Sequence, residues 1–315
     1  MTIGIDLGGT NIAAALVDES GKITCKVSIP ARASEGTEVV LNGLCEVVEM
    51  LFQKSGLTPA DVKSIGIGIP GMMNVETGVV YFSPNLPLKN TDMVSGLKEK
   101  FGLPVYINND ANCAALGEVA AGGAVGANDA VFVTLGTGVG GGIVFGGKVY
   151  AGFNGTAGEI GHIKIQMDGR PCGCGRKGCW EAYASATGLI KTTQEFMEED
   201  KDSKMWDIVG GDITRVNGRT AFDAMRAGDA SGKKAVDLYT RHLAAGVIDL
   251  INIFEPEVIC IGGGISNEGE TLLAPLRELV AAEAYSFKSD AVPHPAITKA
   301  TLGNDAGIIG AAMLG

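Results

Sequence analysis

Asp6 ends an apolar run and is followed at once by a glycine turn, residues 7–11 (Leu-Gly-Gly-Thr-Asn). Main-chain N–H groups in such a turn bind phosphate oxygens without adding side-chain bulk. The carboxylate of Asp6 could in addition hold a hydrated Mg²⁺ that bridges the phosphates. The candidate nucleotide-binding residues in this segment are Asp6, Gly8, Gly9, Thr10 and Asn11. An ordinary hairpin turn is the other interpretation of these residues.

A second carboxylate, Asp110, follows two asparagines at the end of an apolar run, residues 105–107. Strand ends in α/β sheets face the ligand-binding cleft. There, Asp110 could accept the proton of an attacking hydroxyl while Asn109 orients that acceptor, as in-line phosphoryl transfer requires. The alternative is that Asp110 only caps the helix that follows, a position that Asp favours.

Two further glycine clusters also follow apolar runs. Residues 136–142 contain a spacing like that of a dinucleotide-binding fingerprint, but a strand-like run follows them. The helix N-terminus that binds pyrophosphate in a Rossmann unit is therefore missing. We expect instead a second glycine hairpin that binds the nucleotide, with Thr137 and Gly138 as its contacts. Gly263 and Gly264 could line the base or ribose, or could form a simple strand-to-helix turn.

One histidine and three cysteines form the strongest metal-binding pattern of the sequence: His162, Cys172, Cys174 and Cys179. One imidazole and three thiolates complete a four-coordinate zinc site, so no position remains for a metal-bound water and the zinc is expected to be structural. Seven cysteines, three of them crowded together, fit metal ligation in a reducing compartment better than a disulfide framework. The other four cysteines are expected to pack in the core.

Glu159 and Glu181 flank the metal-binding segment at both ends. Zinc would bring the two carboxylates together, and rigid carboxylates are selective acceptors for sugar hydroxyls. Solvated surface acids are the simpler alternative. A glycosidase pair is a further one, but it would leave the phosphate-binding glycines without a role.

The candidate binding, catalytic and metal-ligating residues need strands and helices that end beside them. The hydrophobic pattern predicts such elements. Predicted strands cover residues 3–7, 12–17, 23–29, 64–69, 104–107, 131–134, 142–145 and 258–261. Predicted helices cover about residues 39–52, 93–100, 111–121, 233–254, 270–283 and 304–314. The order of elements restarts at the sixth strand, which predicts a duplicated unit. An insertion at residues 147–232 interrupts the second copy, and the last helix is expected to pack on the first lobe.

The length of the chain bears on its architecture, and its net charge bears on the kind of partner it binds. At 315 residues the chain exceeds the size at which one hydrophobic core keeps growing, so two lobes with a cleft are expected. The net charge of −11 argues against nucleic-acid and membrane partners, since both require clustered Lys and Arg. No apolar run approaches the roughly 18 residues that span a bilayer, and the start does not resemble a signal peptide. We therefore expect a cytoplasmic protein that binds small molecules.

Together, these motifs resemble the ROK family, which contains repressors and sugar kinases, bacterial glucokinases among them. The resemblance spans nearly the whole chain. It rests on DLGGTN at residues 6–11, Pro70-Gly71, SPNL at 83–86, NNDAN at 108–112, LGTGVGGG at 135–142, GEIGH at 158–162 and CGCGRKGCWE at 172–181. The last two motifs are the most family-specific, whereas the glycine motifs alone indicate the wider actin, hexokinase and heat-shock chaperone superfamily.

The resemblance implies an α/β fold of two ribonuclease-H-like domains, of the actin and hexokinase type, with a central cleft and a zinc-stabilised insertion. The expected small N-terminal domain comprises residues 1–115 and 300–315, and the large C-terminal domain residues 116–299. The implied activity is ATP-dependent phosphorylation of a hexose, with glucose as the expected substrate, by a homodimer. Asp110 would deprotonate the sugar C6 hydroxyl. The implied sugar contacts are Asn85, Asn109, Asp110, Glu159, His162 and Glu181.

One departure from the family pattern bears on the substrate. Many glucokinases have a Trp shortly after the Asn-Leu pair, whereas this sequence continues with residues 87–89, Pro-Leu-Lys. N-acetylmannosamine, fructose, allose and N-acetylglucosamine therefore stay open as substrates.

Two functions of other classes are also compatible with parts of the sequence. A sugar-sensing repressor of the same family is disfavoured, because the hairpin at Asp6 leaves no space for a helix-turn-helix and the acidic charge does not attract DNA. A chaperone-like or actin-like ATPase is disfavoured by the cysteine cluster and its flanking acids.

Overall fold

The computed structural model describes every residue from Met1 to Gly315. The strands are Thr2–Leu7 (β1), Asn11–Val17 (β2), Ile23–Pro30 (β3), Ile65–Ile69 (β4), Met72–Asn74 (β5), Val79–Phe82 (β6), Lys89–Asp92 (β7), Val105–Asn109 (β8), Ala130–Leu135 (β9), Val139–Phe145 (β10), Lys148–Val149 (β11), Val258–Gly262 (β12) and Ala296–Lys299 (β13). The helices are Thr37–Ser55 (α1), Ser95–Phe101 (α2), Asp110–Ala121 (α3), Glu181–Ala184 (α4), Ala186–Glu199 (α5), Lys204–Ile208 (α6), Thr220–Arg226 (α7), Ala230–Phe254 (α8), Glu270–Glu283 (α9) and Ala306–Ala312 (α10). All the predicted strands and helices are present, with ends that differ by at most three residues.

The first five-stranded sheet has the order β3-β2-β1-β4-β8. The strands β1, β2 and β3 form an antiparallel meander, and β4 and β8 continue the sheet in parallel with β1. One face of this sheet carries Ile3, Ile5, Ile65 and Ile67, all fully buried in a core that also contains the apolar side of α1. Parallel strands with both faces covered are expected to be apolar throughout, which explains the uniform burial of β4.

The other face of the sheet receives α10, and glycines make the close approach possible. A Cβ on Gly4 would lie 1.9 Å from the carbonyl oxygen of Ile308, and one on Gly66 would lie 1.8 Å from that of Ala311. A Cβ on Gly310 would likewise lie 1.6 Å from the carbonyl oxygen of Cys113 in α3. Any side chain at these three positions would push α10 away from β1, β4 and α3. The prediction that the last helix packs on the first lobe is confirmed.

The second five-stranded sheet has the order β11-β10-β9-β12-β13. Each strand has its counterpart in the first sheet at the same place in the order, and β12 and β13 are parallel, as β4 and β8 are. This agreement confirms the duplication that the order of elements predicted. The inserted segment, residues 147–232, contains the short strand β11 and the four helices α4 to α7.

A third sheet was not predicted from the sequence. It has three strands in the order β5-β6-β7, all antiparallel, and it lies between β4 and β8 in the chain. Its strands have three or four residues each and expose Met72, Tyr81 and Phe82. Strands this short give no clear alternation of apolar and polar residues.

The chain divides into two compact units. The first comprises residues 1–132, 142–158 and 300–315, and the second comprises residues 133–141 and 159–299. Residues 116–132 and 142–158 thus cluster with the first unit, although the predicted boundary assigned them to the second domain. Compact clusters of contacts need not coincide with domains that fold independently, so the domain boundaries stay a prediction.

None of the ten helices has both the length and the apolar character that a bilayer-spanning helix requires.

Candidate active site

Asp110 is the first residue of α3, and the residue before it caps that helix. The Oδ1 of Asn109 accepts hydrogen bonds from the N–H of Ala111 at 2.9 Å and from that of Asn112 at 3.4 Å. Asn109 thus occupies the N-cap position that the sequence left open for Asp110, and the Oδ1 of Asp110 also accepts from the N–H of Ala111 at 2.9 Å. Burial raises the pKa of the Asp110 carboxyl, and a raised pKa makes the carboxylate a stronger proton acceptor.

Buried amides fix the turn in which Asp110 lies. The Oδ1 of Asn108 accepts from the N–H of Asn109 at 2.9 Å and from the Nδ2 of Asn112 at 3.0 Å. The Nδ2 of Asn109 is oriented toward the carbonyl oxygen of Gly71, at 3.5 Å. Asn109 therefore uses its oxygen for capping, and its amide nitrogen is the group that remains able to donate to a ligand.

Asp6 lies close enough to Asp110 for their charges to interact, although the two residues are far apart in the sequence. Burial and the negative charge of Asp110 raise the pKa of Asp6 to about 6, against an opposing effect of Lys26. Two carboxylates that repel each other in this way are stabilised by a proton or a cation. Carboxylate oxygens are also the ligand type that Mg²⁺ prefers, so this pair fits the predicted magnesium.

The glycine turn after Asp6 is a closed hairpin that contacts Asn85. The N–H of Gly8 donates to the carbonyl oxygen of Asn11 at 2.9 Å, and the carbonyl oxygen of Thr10 accepts from Ala31 at 2.8 Å. A Cβ on Gly9 would lie 3.1 Å from the carbonyl oxygen of Asn85. The first unit therefore brings together the hairpin and Asn85, and it holds Asp6 near Asp110.

In the second unit, the turn between β9 and β10 is bound to Glu181. The Oε2 of Glu181 accepts from the N–H of Val139 at 3.1 Å, and a Cβ on Gly138 would lie 2.3 Å from the same oxygen. The carbonyl oxygen of Thr137 accepts from the hydroxyl of Thr187 in α5 at 2.8 Å. Glycine at position 138 is thus required for the carboxylate to reach the turn.

Two other segments contact the strands that border this hairpin: the GEIGH segment, residues 158–162, and the late glycine turn, Gly263-Gly264. A Cβ on Gly161 would lie 2.1 Å from the carbonyl oxygen of Val139, so the 3-10 turn Ile160–His162 passes directly beside β10. Glu159 precedes that turn and is exposed. Gly263 has a φ of 82°, and its Cβ would lie 2.5 Å from the backbone of Leu135. Gly264 follows it at the start of a 3-10 turn.

The four predicted metal ligands converge on one point. The candidate ligand atoms of His162, Cys172, Cys174 and Cys179 all lie within 4.8 Å of one another. The Sγ atoms of Cys174 and Cys179 are 3.6 Å apart, and the Sγ of Cys172 is 3.7 Å from the Nδ1 of His162. Tetrahedral zinc with Zn–S bonds of about 2.3 Å separates two sulfurs by about 3.8 Å, so the donor set and its dimensions fit zinc.

This cluster also contacts Glu181. The Sγ of Cys172 lies 3.5 Å from the Oε1 of Glu181, while the other oxygen of that carboxylate accepts from Val139 as described above. A fixed conformation of the cysteine loop, residues 172–179, therefore also fixes the carboxylate of Glu181.

A buried tryptophan anchors the segment between Cys179 and Glu181. Trp180 is fully buried, and its Nε1 donates to the carbonyl oxygen of His242 at 2.8 Å. A Cβ on Gly246 in α8 would lie 2.1 Å from the indole ring, so the ring packs directly on the helix backbone. The sequence motif contains Trp180, but its partners in α8 lie more than 60 residues away and gave no signal.

A cavity of about 320 Å³ lies beside these groups. Its lining includes Thr137, Gly138 and Glu181 together with two basic residues, Arg170 and Lys191. Arg170 forms an ion pair with Glu195, so Lys191 is the cation that the cavity offers to a ligand.

The family model described as "ROK family" matches residues 2–315. The chain belongs to the ROK family. This ROK-family chain is 37% identical over 316 residues to a protein named Glucokinase from Halalkalibacterium halodurans, with 99% of this chain and 94% of the relative covered. A xylose repressor from Caldicellulosiruptor bescii is 33% identical over 278 residues, which is 88% of this chain and 69% of the repressor.

Solved structures of the same family share the fold. A ROK family glucokinase from Streptomyces griseus, in complex with glucose and AMPPNP, superposes with a TM-score of 0.77 at 35% identity, and the match covers 99% of this chain and 98% of that one. The family and the α/β fold class expected from the sequence are therefore confirmed.

Proposed function

We propose that the protein transfers the γ-phosphoryl group of ATP to the C6 hydroxyl of glucose and releases ADP and glucose 6-phosphate. Relatives named glucokinase are 36–37% identical over nearly the whole chain, which bears out the expected glucokinase-type sugar kinase. The observation that carries the mechanism is the turn at Asp110. Asn109 occupies the N-cap of α3, and the buried carboxylate of Asp110, which accepts from the N–H of Ala111 and has a raised pKa, is assigned the role of the base.

The chemical step requires one proton acceptor and one aligned hydroxyl. As the C6 oxygen forms its bond to the γ-phosphorus, the bond from that phosphorus to the ADP oxygen breaks and the hydroxyl proton passes to Asp110. The raised pKa of Asp110 favours this transfer, since the carboxylate must hold the proton until product is released. Asn109 orients the acceptor through its amide nitrogen.

The nucleotide contacts are proposed on both glycine hairpins and on the late glycine turn. They are Asp6, Gly8, Gly9, Thr10, Asn11, Thr137, Gly138, Gly263 and Gly264. Turn amides bind the phosphate oxygens, and Asp6 holds Mg²⁺, which neutralises charge on the phosphates when bound. The proximity of Asp6 to Asp110 supports this assignment, because a cation relieves the repulsion between them.

The sugar contacts are proposed as Asn85, Asn109, Asp110, Glu159, His162 and Glu181. The Nδ1 of His162 is directed toward Cys172, which leaves the Nε2 to meet a ligand. Coordination of one ring nitrogen fixes the proton on the other, so Nε2–H would donate to a sugar hydroxyl. Glu159 and Glu181 accept from hydroxyls, and an analogue without those hydroxyls would leave the carboxylates unpaired.

Zinc is proposed to be structural. His162 and the three cysteines fill the four positions of a tetrahedral site, so no metal-bound water can act in the reaction. Zinc thiolates also require a reducing environment, which supports a cytoplasmic location. A homodimer is proposed on the family resemblance alone.

The test is a coupled ADP-release assay with Mg-ATP and a panel of glucose, mannose, fructose, allose, N-acetylglucosamine and N-acetylmannosamine. We expect a clear preference for glucose. Preference for another hexose would retain the kinase and change its substrate, whereas the absence of sugar-stimulated turnover would overturn the proposal.

The role of Asp110 is tested with Asp110→Asn, which keeps the shape of the side chain and removes its basicity. We expect kcat to fall by about 10²-fold to 10⁴-fold, the usual contribution of general-base catalysis, with little change in glucose affinity. Asp212→Asn is the matched control, because Asp212 caps a 3-10 turn in the second unit. Turnover of Asp110→Asn close to that of the control would contradict the assignment.

A further inference from the structure

Glu118 is a buried carboxylate that the proposed reaction does not use. It lies near the end of α3 and is only 1% exposed. Its Oε2 accepts from the N–H of Gly123 at 2.6 Å and from that of Thr301 at 3.0 Å, and its Oε1 accepts from that of Leu302 at 3.0 Å. A buried carboxylate is costly unless hydrogen bonds satisfy it, so these three bonds must hold their segments firmly.

The segment that Glu118 holds leads directly into α10. Thr301 and Leu302 precede a 3-10 turn, Gly303–Asp305, and α10 starts at the next residue. The middle and the end of α10 lie against β1, β4 and α3 through the glycine contacts described above. The start of α10 packs on α3, since a Cβ on Gly117 would lie 2.2 Å from the carbonyl oxygen of Ala306. Glu118, the next residue of α3, holds the chain that enters α10.

Two contacts connect the start of α10 with Asp6. A Cβ on Gly307 would lie 3.6 Å from the carboxyl carbon of Asp6, so the backbone of α10 borders that carboxylate. Asp305 forms an ion pair with Lys26, the cation whose charge acts on Asp6. Both the packing and the electrostatic surroundings of Asp6 therefore depend on where α10 begins.

We propose that Glu118 is a positioning residue for the nucleotide site, which acts by fixing the start of α10 against Asp6 and holding Asp305 in place for Lys26. The inference rests on the proposed function, in which Asp6 holds the Mg²⁺ of Mg-ATP. Glu118 itself touches neither substrate.

Gly122 provides a second way to disturb the same contact. A Cβ at this position would lie 2.0 Å from the Oε2 of Glu118, so Gly122→Ala displaces the carboxylate without removing its charge. Glu118→Gln is the complementary change, because the amide keeps one acceptor oxygen and turns its NH₂ group toward a backbone N–H. Both variants disturb the contact less than truncation to Ala, which would leave three buried N–H groups without a partner.

The experiment measures the binding of Mg-AMPPNP by calorimetry and the steady-state kinetics with glucose. We expect Glu118→Gln and Gly122→Ala to bind Mg-AMPPNP about 10-fold to 100-fold more weakly, since small displacements in a site have effects of that size, while KM for glucose changes less than twofold. The charge of Lys26 lowers the pKa of Asp6, so displacement of Lys26 should raise that pKa. The pH below which Mg-AMPPNP affinity falls should therefore be higher in both variants than in the wild type. Asp110, Lys26 and Asp305 are the charged groups around Asp6 that contribute to this pH dependence.

Asp229→Asn is the control, because Asp229 is also a buried carboxylate that accepts from backbone N–H groups, but in the second unit at the start of α8. It should lower Tm without a change in Mg-AMPPNP affinity. Equal effects of Glu118→Gln and Asp229→Asn on nucleotide affinity and pH profile would overturn the inference. Wild-type protein that binds Mg-AMPPNP but phosphorylates no sugar would refute the proposed function and leave this inference standing.

Discussion

Replacing Gly246 with Ala places a methyl group against the ring of Trp180, in the part of α8 that supports the cysteine loop. The added Cβ would lie 2.1 Å from Cε2, 2.3 Å from Cδ2 and 2.6 Å from Nε1 of the indole. Carbon atoms are most stable at about 3.5 Å or more from each other, so the ring must move by about 1.4 Å. Trp180 is fully buried and cannot turn into solvent, so the displacement passes to the residues on either side.

Those two neighbours are Cys179, a proposed zinc ligand, and Glu181, a proposed sugar contact. Overpacking of this kind costs about 1–3 kcal/mol of folding free energy. A displacement of about 1 Å in a site can lower the reaction rate by up to about 10²-fold. We therefore expect Gly246→Ala to lower Tm by several degrees and to raise KM for glucose by at least about tenfold, whereas KM for ATP changes much less.

The assay is the coupled ADP-release reaction at saturating ATP, with Tm and zinc content measured on the same preparations. Gly96→Ala is the matched control, because Gly96 is an exposed helical glycine with open space around its Cβ position. That substitution should leave KM unchanged and stabilise the protein slightly. A Gly246→Ala protein with lowered Tm but normal KM for glucose and normal zinc content would refute the idea that Trp180 positions Glu181. Trp180→Phe, which loses the hydrogen bond to His242, provides a milder test if Gly246→Ala does not fold.

Three further predictions follow from the carboxylates and the metal ligands. The pKa of Asp6 is raised from 3.8 to about 6, so the stability contributed by its protonated carboxyl is present below about pH 4 and lost as the pH rises through 6. Asp6→Asn should therefore raise Tm at pH 7.5 by the equivalent of about 3 kcal/mol, and a Tm difference independent of pH would contradict this. The purified protein should contain about one equivalent of zinc, and Cys174→Ser should lose the metal together with several kcal/mol of stability; metal analysis that finds no zinc in the wild type would exclude the site. Glu159→Ala should raise KM for glucose about 10-fold to 100-fold by removing charged hydrogen bonds, and an unchanged KM would assign Glu159 to the surface.

The sequence pointed to Asp110 as a candidate without deciding its role. Asp110 was open to two interpretations, base or helix cap, because both roles suit an Asp at the start of a helix. In the structure α3 begins at Asp110 and Asn109 occupies the N-cap, and the spacing of residues does not fix a helix start to within one residue. The convergence of the four candidate metal ligands could be predicted, since the CxCG and GC spacing constrains the loop by itself.

Long-range partners could not be predicted in this way. Glu118 looks like an exposed acid in a helix, and only the approach of Thr301, 183 residues later, explains its burial. By contrast, α5 was missed although its signal is present, with Ser185 as the cap and apolar residues at helical spacing through Leu189 and Met197. The glycine and cysteine content of the insertion concealed it.

The duplication explains why glycines recur at corresponding turns of the two sheets. In both sheets the turn after the first strand is a glycine hairpin, at Gly8 in one repeat and at Gly138 in the other. The fourth strand of each repeat, β4 or β12, is followed by a glycine with positive φ, Gly71 or Gly263.

Corresponding glycines have different neighbours. The carbonyl oxygen of Gly71 faces Asn109, whereas Gly263 packs on the backbone of Leu135. Positive φ is a property of the shared backbone, so both repeats keep glycine there, while the side chains around it are free to differ. The Asn-Asn-Asp segment at the end of β8 has no counterpart after β13, so only the first repeat carries the carboxylate that we propose as the base.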